Sequence, residues 1–203
     1  MSIVSLVEKM LKKELFFKFY LVKIEKIILN ILKKPQKNNL TYDILDDDNI
    51  KKIRIQCLKL KQYNMKKGII WQAVIGSYFG FKDLGTGKDK SGLDIISEKQ
   101  KIIIELKNRT NTDNKSSRES NLRRLAKYKK NHNDFFCIYG CINESSEKRT
   151  KNGNIAEFIV PYKKNTYKIY KYTGRKLIDL VFGKRTDFII AFVKDIITKN
   201  SDL

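Results

Sequence analysis

Apolar residues recur along this chain with two different periods. Over residues 3–33 they fall at helical spacing, as at Leu21, Ile24, Ile27, Ile28 and Ile31, with charge mostly on the other side. That pattern predicts one or two amphipathic helices, stopped by Pro35 and the polar KKPQKNN. Packing or dimerisation is the plain use of such a face. A short acidic patch, LTYDILDDDNI, comes next, and a lysine-rich apolar segment covers residues 50–63. KKGIIWQAVIGSYFGF predicts a helix that turns Ile69, Ile70, Ala73, Val74, Tyr78 and Phe79 inward and ends at Gly80.

Beyond the glycine- and lysine-containing KDLGTGKDKSG the period changes to two. GLDIIS and KIIIELK read as strands of a hairpin around the turn-prone EKQ. After the polar NRTNTDNK, Ser116 and Glu119 stand at capping-box spacing and open a helix. Leu122, Leu125 and Ala126 share one face of it, and Arg118, Arg123, Arg124 and Lys127 lie largely elsewhere. FFCIYGCI is a buried strand, IAEFIVP and the half-exposed TYKIYKY are further strands, and GRKLIDLVFG and TDFIIAFVKDIITK are a short and a longer helix. No internal repeat is visible. Strands mixed with helices around a central hairpin predict an α/β or α+β fold, a central mixed β-sheet flanked by helices. The length fits one domain over residues 1–203, with a helical N-terminal segment at 1–35 and the core that carries the chemistry at 68–145.

Charge sharpens the picture. Against 22 Asp+Glu stand 43 Lys+Arg, a formal +21 with pI near 9.8, which points to a polyanionic partner. Nucleic acid comes first and an anionic membrane surface second. No membrane span is expected, because the apolar LFFKFYLVKIEKIILNIL is broken by Lys18, Lys23, Glu25 and Lys26. No signal-peptide cleavage site follows it, so a cytoplasmic protein is the expectation. Cys57, Cys137 and Cys141 lack zinc spacing, and Cys137 and Cys141 fit as small buried hydrophobes. His132 is the only histidine, which argues against a nuclease built on a histidine base with histidine ligands. The loop spacing also excludes a phosphate-cradling GxxxxGK[ST].

The candidate chemistry lies on the hairpin. Period-two alternation puts Ile102, Ile104 and Leu106 on one face of KIIIELK and Ile103, Glu105 and Lys107 on the other. Glu105 and Lys107 then project side by side, roughly 6 to 7 Å apart. A turn centred between residues 99 and 100 sets Asp94 opposite Glu105. Two carboxylates and one ammonium converge. Paired carboxylates suit Mg²⁺, a hard cation that takes oxygen ligands and keeps several waters. A neighbouring lysine can hold an attacking water. Phosphodiester hydrolysis needs such parts: a Lewis acid, a positioned water and stabilisation of developing oxyanion charge. The bland alternative is a hairpin edge with exposed charges.

These residues resemble a known active site. SGLD and IIIELKN are similar to that of the PD-(D/E)xK nuclease superfamily, with Leu93 in the usual place of proline. ELKNRTNTDNKSS resembles, more specifically, a group of type II restriction endonucleases in which ExKN is followed by an NT-x-N-type segment and a basic helix. The detailed likeness covers residues 68–130, and YTGRKLIDLVFG is a weaker echo. The resemblance implies a restriction-endonuclease-like fold, Mg²⁺-dependent cleavage of double-stranded DNA, and a homodimer working beside a cognate DNA methyltransferase. It makes Asp94 and Glu105 metal ligands, adds the Leu106 carbonyl as a further metal contact, and makes Lys107 the water-orienting lysine. Many relatives place a glutamate on the preceding helix, where this chain offers Gln72.

For DNA contact the sequence offers Asn108, Asn111 and Asn114 for adenine edges, and Arg109 and Arg118 for guanine. Lys88, Lys90, Ser91 and Lys115 are candidates for backbone contact, and every one of these polar residues can equally be a phosphate contact or a loop cap. Three other readings remain open. They are a repair or junction-resolving nuclease of the same superfamily, a non-catalytic basic nucleic-acid-binding protein, and a membrane-surface protein.

Overall fold

A computed structural model describes residues 3–34, 47–85, 91–109 and 114–200, apart from the side chains of residues 3–10. At its centre is the expected hairpin. β2 (Ile95–Ser97) and β3 (Ile102–Arg109) pair antiparallel as Ile95↔Ile104, Ile96↔Ile103 and Ser97↔Ile102, the register that a turn centred between residues 99 and 100 demands. Lys101 closes that turn at φ 55°, and its carbonyl accepts from the Phe136 N–H at 2.6 Å. β1 (Lys82–Asp83) pairs antiparallel with β2. On the other side β4 (Phe136–Asn143) runs parallel to β3, β6 (Asn165–Thr173) parallel to β4, and β5 (Asn154–Tyr162) antiparallel to β6. The six-stranded mixed sheet is thus ordered β1-β2-β3-β4-β6-β5.

Helices cover both faces, which is why β3 and β4 read as near-continuous apolar runs. One face carries Ile95, Ile102, Ile104, Ile138 and Ile142. Against it pack α1 (Ile3–Lys33), α2 (Asp48–Gly76), α5 (Gly174–Phe182) and α6 (Thr186–Lys199), with a 3₁₀ turn at Gly183–Arg185 joining the last two. α1 contributes Phe17, Tyr20, Ile24, Ile28 and Leu32 at three- and four-residue intervals, and the Tyr20 hydroxyl donates to the Val74 carbonyl at 2.9 Å. The other face, with Ile103, Cys137, Tyr139 and Ile169, lies under α3 (Lys115–Asn131) through Leu125 and Ala126. The α+β class and the helical N-terminal segment are as expected.

Several local expectations change. Residues 50–63 and the following helix form one 29-residue α2, ended at Gly76 rather than Gly80, which has φ 77° in the turn beyond. The reason is close packing: a Cβ on Gly76 would lie 2.6 Å from the Asp83 Cβ, so the helix end abuts β1. α3 is capped by Asn114, whose side chain accepts from the Ser117 N–H at 2.7 Å, and not by the Ser116–Glu119 box. A short α4 (Glu147–Asn152) and the two-residue β1 carry too little periodicity to be read from sequence.

Candidate active site

The hairpin register brings Asp94 opposite Glu105, one step beyond the Ile95↔Ile104 pair. Asp94 is held from three sides. Its N–H donates to the Ile104 carbonyl at 3.2 Å, its carbonyl accepts from the Leu84 N–H at 2.8 Å, and Oδ2 accepts from the Leu106 N–H at 2.7 Å. Glu105 sits between the sheet and α3, only 2% exposed. Its Oε1 takes two cations, Lys107 Nζ at 2.7 Å and Arg124 Nη2 at 3.3 Å, while Oε2 is buried with no hydrogen-bond partner. An unpaired buried carboxylate oxygen is costly. Both acids are pushed above the usual carboxylate range. Loss of water is the main cause for each; the Asp94 charge adds to it for Glu105 and the Asp83 charge for Asp94, against the lowering influence of Lys107 and Arg124.

Three residues of the neighbourhood are not singled out by the sequence reading. Arg124 reaches from α3 to the Gly92 carbonyl, Glu105 and the Asn121 side-chain oxygen. Asn121 is buried among Leu125 and Ala126, so a polar residue on the inward stripe of a basic helix was the available signal. Asp83 enters through β1 and accepts from Gln72 Nε2 at 2.9 Å and from the Gly85 N–H at 2.8 Å. Gln72, the auxiliary candidate, therefore touches Asp83 rather than Asp94 or Glu105. Among the described residues no cluster of three or more His, Cys, Asp or Glu ligands forms, and the hairpin sets two carboxylates opposite each other.

The DNA-contact candidates separate by position. Lys88, Lys90 and Asn111 lie outside the described residues. Asn108 is half-buried and already engaged: its Nδ2 donates to the Asn64 carbonyl at 2.6 Å, and its Oδ1 accepts from Asn143 Nδ2 at 2.9 Å. Asn114 caps α3 and Ser91 Oγ accepts from the Leu93 N–H at 3.2 Å, so these three are local supports first. Lys115 and Arg118 are exposed on the first turn of α3, and Arg109 is exposed at the end of β3. Arg109 lines a cleft with Asn64, Lys67, Asn143 and Ser145 where β3 and β4 end. His132 lies exposed just past α3, stacked on Tyr128, and Cys137 and Cys141 are buried. No helix among the described residues is long and apolar enough to cross a membrane.

Searches among curated proteins and among solved structures find no match. A family model described as Eco47II restriction endonuclease does match, over residues 18–197, a span that runs from inside α1 to near the end of α6. That span contains the opposed carboxylates, Lys107 and Arg124. The chain therefore belongs to the Eco47II restriction endonuclease family, and is a type II site-specific deoxyribonuclease whose substrate is DNA.

Proposed function

We propose that the protein cuts double-stranded DNA at a specific sequence with Mg²⁺ bound between Asp94 and Glu105. The observation that carries this reading is the buried, unpartnered Oε2 of Glu105 on a strand directly opposite Asp94. The residues fit a hard divalent cation. Two carboxylates whose ionised forms are penalised by burial, Glu105 further by the Asp94 charge and Asp94 by the Asp83 charge, gain most from one, and Mg²⁺ is satisfied by one or two carboxylates with water and phosphate oxygens. The Leu106 carbonyl suits a further contact. β3 turns the Ile104 carbonyl and the Leu106 N–H toward Asp94, and in a strand the Leu106 carbonyl leaves from that same edge. Bound there, the cation supplies Lewis-acid polarisation of the scissile phosphate.

The chain's own groups do the rest. Lys107, bonded to Glu105 and partly exposed, orients the attacking water and offsets charge that develops on the phosphate. Attack by that water on phosphorus breaks the phosphodiester P–O bond, and the leaving oxygen takes up a proton. The protein works as a homodimer alongside a methyltransferase that protects the same sequence. Dimerisation is supported by an exposed apolar stripe on α1, formed by Leu11, Leu15, Phe19 and Val22. The test is Lys107→Ala with plasmid and Mg²⁺: cutting is expected to fall by at least about 10²-fold, with folding and duplex binding retained. Full cutting by this variant rules out the assignment.

A further inference from the structure

Among the described residues, Arg124 is the cation that reaches Glu105 from outside the hairpin, and its geometry is hard to explain as packing. It leaves α3 and spreads its guanidinium over three acceptors, with Nη1 on the Gly92 carbonyl at 2.5 Å and Nη2 shared by Asn121 and Glu105. Its Nε is buried without a partner, so the fork is drawn inward beyond what its own hydrogen bonding satisfies. The backbone makes room for it. Gly92 holds φ +65°, and a Cβ there would come within 2.8 Å of Nη1. Yet the side chain is 39% exposed against 2% for Glu105, so it borders solvent beside the groove of Ser116, Ser120, Arg123 and Lys127.

Charge counting gives this arrangement a consequence. Among the described residues Asp94, Glu105 and Asp83, whose charge acts on Asp94, supply three negative charges, and Lys107 and Arg124 two positive ones. A divalent cation entering turns that single negative charge into an excess of positive charge unless a cation leaves or an anion arrives. Lys107 is fixed two residues from Glu105 on the same strand. Arg124 is on a different element, holds Glu105 by the longer contact, and has a route to solvent.

Resting on the nuclease reading above, we propose that Arg124 is an internal counter-cation and positioning residue. In the DNA-free protein it holds Oε1 of the carboxylate whose unpartnered Oε2 takes the divalent ion, and its charge opposes that ion's entry. It releases Oε1 when a DNA phosphate enters, and its guanidinium then pairs with the phosphate. Metal binding and DNA binding are thereby coupled: each strengthens the other by the same factor.

The experiment titrates Ca²⁺ by calorimetry into the full chain, with and without a duplex, for the native protein, Arg124→Gln and Arg124→Lys. Without DNA, Arg124→Gln is expected to bind Ca²⁺ more tightly by roughly two- to fivefold, the size of a partly screened charge interaction. Adding duplex is expected to tighten Ca²⁺ binding in the native protein and to do so much less in Arg124→Gln. Arg124→Lys keeps the charge and is expected to retain the weak DNA-free binding. It also carries the test if the Gln variant fails to fold. Unchanged or weaker Ca²⁺ binding by folded Arg124→Gln, or tighter binding by Arg124→Lys, overturns the proposal. A native protein that neither binds Ca²⁺ nor cuts DNA with Mg²⁺ sinks the reading beneath it instead.

Discussion

Glu105 is the residue on which the site turns, and its burial has a measurable cost. Because its carboxyl is held above the usual range, the folded state binds its proton more tightly than the unfolded chain does. Ionisation therefore opposes folding at neutral pH, and the penalty is relieved as pH falls through the folded-state value toward the unfolded one. In EDTA, Glu105→Gln is expected to melt at a higher temperature than the native protein near pH 7, with the gain shrinking on acidification. The same substitution should abolish cleavage, since it removes the charge a cation requires. Cleavage by the native enzyme is expected to fail on acidification at a pH above that of ordinary surface carboxylates. More Mg²⁺ should move that acid limb downward, because metal and proton compete for the same oxygens. A limb indifferent to Mg²⁺ would separate these acids from the metal. The alternation of KIIIELK and the placement of the turn made this carboxylate pair legible in advance. Arg124 was not legible in the same way, since one arginine in LRRLAK looks like its neighbours until α3 is docked.

At the scale of elements, helix caps and faces decide what a residue is for. Asn114, a candidate for base contact, spends its side-chain oxygen on the first turn of α3. Asn114→Ala is expected to lower stability by about 1 kcal/mol, the ordinary value of such a cap, and to leave the salt dependence of DNA binding as it was. Denaturant melts and binding titrations check the two halves separately. α1 spends one stripe on the core and leaves Leu11, Leu15, Phe19 and Val22 more than half exposed. If α1 carries the proposed dimer contact, Phe19→Glu, at a residue 64% exposed, is expected to shift the protein from dimer to monomer in sedimentation, with little loss of monomer stability. An unchanged sedimentation coefficient would place the dimer contact elsewhere. α2 shows the opposite limit of pattern reading: its buried residues are confined to Ile70, Val74, Ile75 and Gly76 near its end, so most of its length carries no clear inward stripe.

For the whole molecule, the excess of 43 basic over 22 acidic residues is the dominant long-range property. It has the sign and size that attract a polyanion such as DNA from a distance. If about six to ten phosphates are neutralised, duplex affinity should drop roughly 10³- to 10⁵-fold between 50 and 200 mM salt. A flat salt profile would mean that the charge serves something besides DNA. Sequence specificity is expected to depend on surfaces at the open ends of the strands, such as the cleft holding Arg109, Lys67 and Asn64, rather than on net charge.

The sequence by itself determined the elements that repeat a period: the long N-terminal helix, the hairpin and its register, the buried β4 and the two closing helices. Those features are local, because a side chain's face follows from its position along one strand or helix. The ELKN motif and the basic excess were likewise enough to indicate the kind of enzyme. Only the tertiary structure decided which groups meet across elements. It set Arg124 of α3 on Glu105 of β3, brought Asp83 to Gln72, pinned Asn108 between Asn64 and Asn143, and left one carboxylate oxygen buried and unpaired. Contacts of that kind depend on how helices dock on the two faces of the sheet, which no spacing along a single element records.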